Sequence, residues 1–292
     1  MKNYHSRPRL AVTVGGRGVV SHAGTRLLAD VADAVGLTAA LSAAMAPTKQ
    51  RRRGHDRGRV LVDMAVMLAD GGETISDLAV LRNQPALFGE VASLATAWRT
   101  LEAVDDACLI RLARARAAAR ARAWAAGADP GFYVIDIDGT LIGSHSDKQG
   151  AAPNYKRGFG FHPLVAYLDA TGEALAALLR PGNAGSGTAT DHVTVLHDAL
   201  AQLPIDAAAV EVIARADSAG LSHGFVDACR DRHVRFVVGH RLDAAIAAVW
   251  PVYRLVVGNR RSPRTAPRNA KTPRSQRSPT SSISAGGPTG CG

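Results

Sequence analysis

Acidic residues run out before the chain does. No aspartate or glutamate follows Asp243, and no glutamate follows Glu211, in a sequence of 292 residues. Cysteine is scarce. Cys108, Cys229 and Cys291 stand far apart and form no CxxC pair. That excludes a disulfide framework and a cysteine-built zinc site, and fits reduced thiols in a cytoplasmic protein. No apolar run approaches the roughly 20 residues of a membrane span, and the polar, basic start of the chain lacks a signal-peptide core. A membrane partner is not expected.

What remains is globular in composition, 47% hydrophobic, 5% aromatic and 21% charged, with length enough for two domains. A net charge of +10 and a pI near 10.1 favour a polyanionic partner. The charge is unevenly placed. Arg260, Arg261, Arg264, Arg268, Lys271, Arg274 and Arg277 account for seven of the ten net positive charges. They lie in a Pro-, Ser-, Thr- and Gly-rich stretch too poor in apolar residues to bury a core, so residues 258–292 read as a disordered basic tail. The high pI therefore says little about the folded part.

Two regions precede the tail. Residues 1–130 read as helical, a DNA-binding or dimerisation region. Ser21 is placed to cap a helix with Leu27, Leu28 and Val31 on its apolar face, and Gly36 to stop it. Lys49 to Arg59, with Arg51, Arg52 and Arg53, forms a basic loop suited to DNA phosphates or to solvent alone. A strongly apolar helix starts at Val60. Val91 to about Ala125 reads as mostly helix, ending in an arginine-rich segment with arginines on several sides. Trp98 and Trp124 fall on helical faces as core residues.

Residues 131–257 change to alternating strand and helix. Tyr133-Val-Ile-Asp136-Ile-Asp138-Gly139-Thr140 is an apolar strand carrying two carboxylates two positions apart. Residues i and i+2 of a strand share a face, so both carboxylates project from one side. Like charges there call for a cation, and a divalent metal is the usual answer; a plain Asp-Gly turn is the alternative. A Gly- and Lys-rich turn follows, Ser144 to Gly160, where Lys148, Lys156 and Arg157 could meet DNA. A hairpin through Thr171-Gly172 comes next, then helix, a strand ending at Asp217, helix and strand. Three antiparallel strands and then helix, strand, helix, strand is the order of an RNase H-like core. The expected fold is thus α/β: a helical N-terminal domain, an incomplete RNase H-like core and a disordered tail. Arg215, two before Asp217, could pair with a carboxylate or a phosphate. His145, His162, His192 and His223 show no metal spacing and read as structural or surface residues.

The string Asp136-Ile-Asp138-Gly-Thr-Leu resembles the first motif of haloacid-dehalogenase-like phosphatases, in which the first aspartate is nucleophile and the second general acid. In that family the motif lies near the N-terminus, and a parallel sheet follows it. Here about 130 residues precede it, a hairpin follows, and no later acidic pair fits. Over roughly residues 19–250 the chain resembles DDE transposases of the IS1380 type, in the wider IS4-like group. The resemblance rests on that same string, on Lys148-Gln-Gly150 through His162-Pro163, on Leu179-Arg180-Pro181-Gly182-Asn183, and on Ile213-Ala-Arg215-Ala-Asp217-Ser218. It implies metal-dependent cleavage and transfer of DNA at the terminal inverted repeats of an insertion element. Mg²⁺ or Mn²⁺ would be held by Asp138 and Asp217, with Asp136 the alternative first ligand. It further implies a homodimer acting on nucleoid DNA in a bacterial cytoplasm.

The family's third ligand is a glutamate beyond an inserted β-rich region. No glutamate stands at such a position here, and the change of character near Tyr253 to Gly258 is that of a frameshift or truncation. The sequence thus leads to the expectation that this chain binds DNA ends without completing the reaction, as a DNA-binding fragment or an inhibitor of the full-length enzyme.

Overall fold

Two hydrophobic clusters organise the computed structural model, one among helices and one around a sheet. The structure describes residues 7–12, 21–49, 54–144, 147–185 and 188–240, all within one compact unit, Met1–Arg241. Arg51, Arg52, Arg53, His145 and the tail lie outside the described residues.

The helical part comprises α1 (Arg26–Ala34), α2 (Leu37–Met45), α3 (Arg57–Ala69), the short α4 (Ala79–Arg82) and α5 (Pro85–Phe88), α6 (Leu94–Glu102) and α7 (Asp106–Ala123). Several boundaries differ from the sequence reading. Residues 21–25 form turns, and Thr25 rather than Ser21 stands at the start of α1. The expected apolar face of α1 is exposed at Leu27, Leu28 and Val31, whereas Arg26, Ala29 and Ala32 are buried. The Arg26 guanidinium explains this. It is fixed inward by the carbonyls of Leu87 and Pro8, and the small alanines let the helix approach closely. Asp56 caps α3 by accepting the Arg59 N–H at 2.8 Å, so the basic loop ends before Arg57. Arg57 then reaches the Thr48 carbonyl and Arg59 that of Phe88, which turns both inward.

Residues 91–125 are mostly helical as expected, in two helices separated near Ala103 to Asp105. Ser93 caps α6, and the Asp105 carboxylate starts α7 by accepting the Cys108 N–H at 2.7 Å. Trp98 is 55% exposed and donates to Glu102, so it is not a core residue; Trp124 is buried and stacks on Tyr133. The arginines of α7 are mostly engaged within the molecule. Arg111 donates to the Ala44 carbonyl, Arg116 to Ala174, Arg122 to Val35, and buried Arg120 to Gln202 and Glu173. Arg116 and Arg120 fasten α7 to the sheet side, whereas Arg111 and Arg122 tie it to α2 and to the end of α1.

The second cluster contains β1 (Tyr133–Gly139), β2 (Ile142–Gly143), β3 (Ala152–Pro153), β4 (Phe159–Phe161), β5 (Leu164–Leu168), β6 (Glu173–Leu178), α8 (Ala189–Leu200), β7 (Val212–Ala216), α9 (His223–Asp231) and β8 (Arg235–Val238). The main sheet has five strands in the order β6-β5-β1-β7-β8. β5 and β6 are antiparallel to their neighbours, and β7 and β8 are parallel. This is an RNase H-like mixed α/β arrangement. Its antiparallel β1–β5 pair separates it from the parallel sheet of the phosphatase resemblance. Ile135, Ile137, Leu164, Ala166, Val212 and Ala214 bury one face, packing with Val195 and Leu196 of α8 and Phe225 of α9. The Gly- and Lys-rich stretch is more than a turn: β2, β4 and β3 pair as a small second sheet. Gly160 allows this, because at φ 152° a Cβ there would stand 2.0 Å from the Ile142 carbonyl oxygen.

Candidate active site

β1 and β7 run parallel with Asp136 level with Arg215 and Ile137 level with Ala216. The paired register ends there, and Asp138 and Asp217 are the next residues of the two segments. Neighbouring strands lie about 4.8 Å apart, so the two carboxylates leave adjacent strand ends. The alternation of β1 puts Ile135 and Ile137 into the core and both aspartates on the opposite face. β1 is thus buried on one side only, which is how it tolerates two acids.

Asp138 and Asp217 are exposed, and both line a cavity of about 80 Å³ with Gly139, Tyr155, His162, Leu164, Arg180, His192 and Ala219. Among the described residues each carboxylate takes one hydrogen bond, from a backbone N–H close by in sequence: Gly139 to Asp138 and Ala219 to Asp217, both at 2.8 Å. Lone pairs remain on both. Two hard oxygen donors suit Mg²⁺ or Mn²⁺, which keep several waters when few protein ligands are offered. Among the described residues no three His, Cys, Asp or Glu side chains gather as a metal-holding group.

Asp136 is differently employed. Arg215 holds its two oxygens at 2.5 and 2.6 Å and also reaches Asp169 at 2.9 Å. The hydrogen bond and charge of Asp136 raise the Arg215 pKa further above its ordinary value. Of the two partners foreseen for Arg215, the structure has the carboxylate. Lys148, Lys156 and Arg157 are exposed on the stretch that forms the small sheet. Lys156 lies 5.7 Å over the ring of Tyr155, itself a cavity residue, and Arg157 takes a left-handed φ of 63° in the turn after it.

Three cavity residues escaped the sequence reading as site residues. His162 and His192, read as structural or surface positions, are buried but face the carboxylate cavity. Arg180 is 4% exposed, and its Nε and Nη1 bond the His162 and Gly185 carbonyls and Asp191. No spacing announces these groups, because each arrives on a separate segment. The signals were the strings ending in His162-Pro163 and running Leu179-Arg180-Pro181-Gly182-Asn183, which named no role for either residue.

The family model described as Transposase DDE domain group 1 matches residues 2–273 of the chain. No curated protein matches it. Among solved structures, the chain is similar to one in a simian T-cell lymphotropic virus intasome in complex with PP2A regulatory subunit B56 gamma. There the identity is 16% and the TM-score 0.28, covering 71% of this chain and 79% of that one. It is also similar to the Mos1 mariner paired end complex with Mn, at 11% identity and TM-score 0.26, covering 71% and 73%. A Mos1 transposase paired-end complex with left transposon end gives 12% and 0.26, covering 72% and 74%. Likenesses this slight add nothing to the geometry.

Proposed function

The chain belongs to the family Transposase DDE domain group 1, and from that membership we propose that it acts on DNA ends by phosphoryl transfer at Asp138 and Asp217. The observation that carries the proposal is that these carboxylates, each next after the last paired residues of parallel β1 and β7, line one cavity. Strand cleavage and joining need in-line attack at phosphorus, with charge spread over the phosphate oxygens. A divalent cation held by Asp138 and Asp217 supplies Lewis acidity to that centre when bound. The two aspartates line the same cavity, and each keeps lone pairs beyond its one backbone N–H for such a cation. Asp136 acts through Arg215: the pair bridges β1 and β7 and keeps the strand ends in register. Lys148, Lys156 and Arg157 flank the cavity as contacts to the DNA backbone, which their exposure favours.

The finer assignment is to the IS1380 type, acting as a homodimer on terminal inverted repeats in the bacterial cytoplasm. The motif strings around Asp138, Arg180 and Asp217 support the subtype. A second reading is of a chain that holds DNA ends without cutting them. A strand-cleavage assay on the element's own ends with Mg²⁺ or Mn²⁺ separates the two. Cleavage lost in Asp217→Ala supports the active enzyme, whereas retained binding without cleavage supports the fragment. Absence of DNA binding would overturn both.

A further inference from the structure

Gly139 follows Asp138 directly, and the space above it is bounded by two nitrogen-bearing side chains. A Cβ placed on Gly139 would stand 2.9 Å from Nε2 of His162 and 3.7 Å from Nη2 of Arg180. His162 is held in place from behind. Its Nδ1 donates to the Ala184 carbonyl at 3.2 Å, since a carbonyl only accepts, and that leaves Nε2 turned to the gap. Arg180 is held still more firmly. Its backbone carbonyl accepts the His162 N–H at 3.0 Å, its Nε donates to the His162 carbonyl at 2.9 Å, and its Nη1 donates to Gly185 and Asp191, both at 3.1 Å. Nη2 alone is buried without a partner among the described residues.

A buried guanidinium nitrogen with both N–H groups unused is unfavourable and calls for an explanation. Packing does not supply one, because the rest of the fork is saturated and the whole side chain is 4% exposed. The cavity that Arg180 lines is the one that Asp138 and Asp217 line. A rigid fork with one free arm matches a phosphate oxygen better than it matches a carboxylate already served by a backbone N–H.

We propose that Arg180 donates from Nη2 to a non-bridging oxygen of the DNA phosphate on which Asp138 and Asp217 act, in the space over Gly139 that the His162 ring bounds. This rests on the phosphoryl-transfer reading of that pair. Arg180 is then a substrate-binding residue, and the missing side chain of Gly139 is the room the oxygen occupies.

The test uses the full chain and inorganic phosphate as the probe, titrated by calorimetry at constant ionic strength with Mg²⁺ present. Arg180→Lys keeps the buried charge and loses Nη2. Gly139→Ala keeps both nitrogens and fills the gap, at a residue whose φ lies outside the left-handed region. Both should weaken phosphate binding by about tenfold or more, the equivalent of one hydrogen bond to a charged group. Should Arg180→Lys fail to fold by circular dichroism, Gly139→Ala carries the test. Wild-type protein that binds no phosphate, or folded variants that bind it like the wild type, overturn the proposal. A short DNA duplex should displace phosphate from the wild-type chain; failure to displace it would assign the site to a small anion instead and overturn the DNA part. The transposase reading fails separately, if the wild-type chain does not bind duplex DNA at all while phosphate binding still depends on Arg180 and Gly139.

Discussion

Arg215 closes on both oxygens of Asp136 across the parallel pair β1–β7, and the Nη2 that holds one of them also reaches Asp169, just past β5. One guanidinium thereby ties three adjacent strands together on the face opposite the core. It also neutralises the carboxylate that stands two residues from Asp138 on the same face. Of the two aspartates in β1, one is paired and the other is free.

That division predicts how the site meets a cation. Asp138→Ala or Asp217→Ala should weaken Mn²⁺ binding by more than the roughly 10–100-fold typical of losing an outer supporting group. Asp136→Ala should have the smaller effect. Electron paramagnetic resonance of free Mn²⁺ in a titration reads this directly, and equal loss in all three variants would contradict the division.

Arg120 fastens α7 to the sheet side. It is 5% exposed and donates to the Gln202 carbonyl at 2.8 Å and to Glu173 at 2.6 Å. Arg120→Ala should destabilise the fold by about 3 kcal/mol, the scale of losing charge-assisted bonds from a buried group. Arg114, for which no such bond to the sheet is seen, provides the comparison: Arg114→Ala should stay within about 0.5 kcal/mol by urea denaturation.

A buried charge cluster pins residue 7 onto the helices. Arg7 bonds Asp33 at 2.6 Å and Asp63 at 2.9 Å, and Asp63 lies 3.6 Å from Arg59. Asp63→Ala would remove the buried carboxylate that both guanidiniums face, leaving Arg7 with Asp33 and Arg59 with the Phe88 carbonyl, and should cost about 3 kcal/mol. The two acids respond to pH in opposite senses. Burial pushes the Asp63 carboxyl up, against the pull of Arg7 and Arg59. Burial also raises Asp33, but hydrogen bonds from Arg7 and Thr38 outweigh it and leave the carboxyl below its usual value. Asp33 therefore contributes stability that is present above its unfolded pKa of about 3.9 and lost as pH falls through the lower folded value. Asp33→Asn should flatten that acid limb in denaturation curves, and an unchanged limb would count against it.

Cys229 is fully buried in α9, and burial pushes its thiol up to about 11. In a Cys291→Ser background, native protein should react with a thiol reagent only as fast as it unfolds, with Cys108 equally buried. Fast labelling of Cys229 at neutral pH would contradict this packing.

Much of the sheet could be read from residue order. The period of β1, the Thr171-Gly172 turn and the strand ending at Asp217 are local patterns, and local patterns survive in a sequence. Residues whose role depends on a distant partner could not be read. Leu27 and Val31 look like a core face until Arg26 is seen bonded to Leu87, far along the chain. The arginines of α7 lie on several sides of one helix, and only their distant acceptors show which of them hold the fold together. His162, Arg180 and His192 look unrelated because three separate segments bring them to one cavity. Composition records how many charges a chain has and not whether they are already engaged.

The parallel pairing of β1 with β7 has a kinetic consequence. Asp136 and Arg215 are 79 positions apart, and Asp138 and Asp217 are separated by the same interval. The β5–β6 pair closes over a short turn and the β1–β5 pair over residues 140–163, so both span less chain than the acidic pair and can form earlier. The acidic pair must wait for a crossover through α8, and non-local parallel pairing is the slow class of contact. On a ribosome, β1 emerges with Asp138 long before its counterpart exists, so a cation can bind the finished pair but cannot nucleate it.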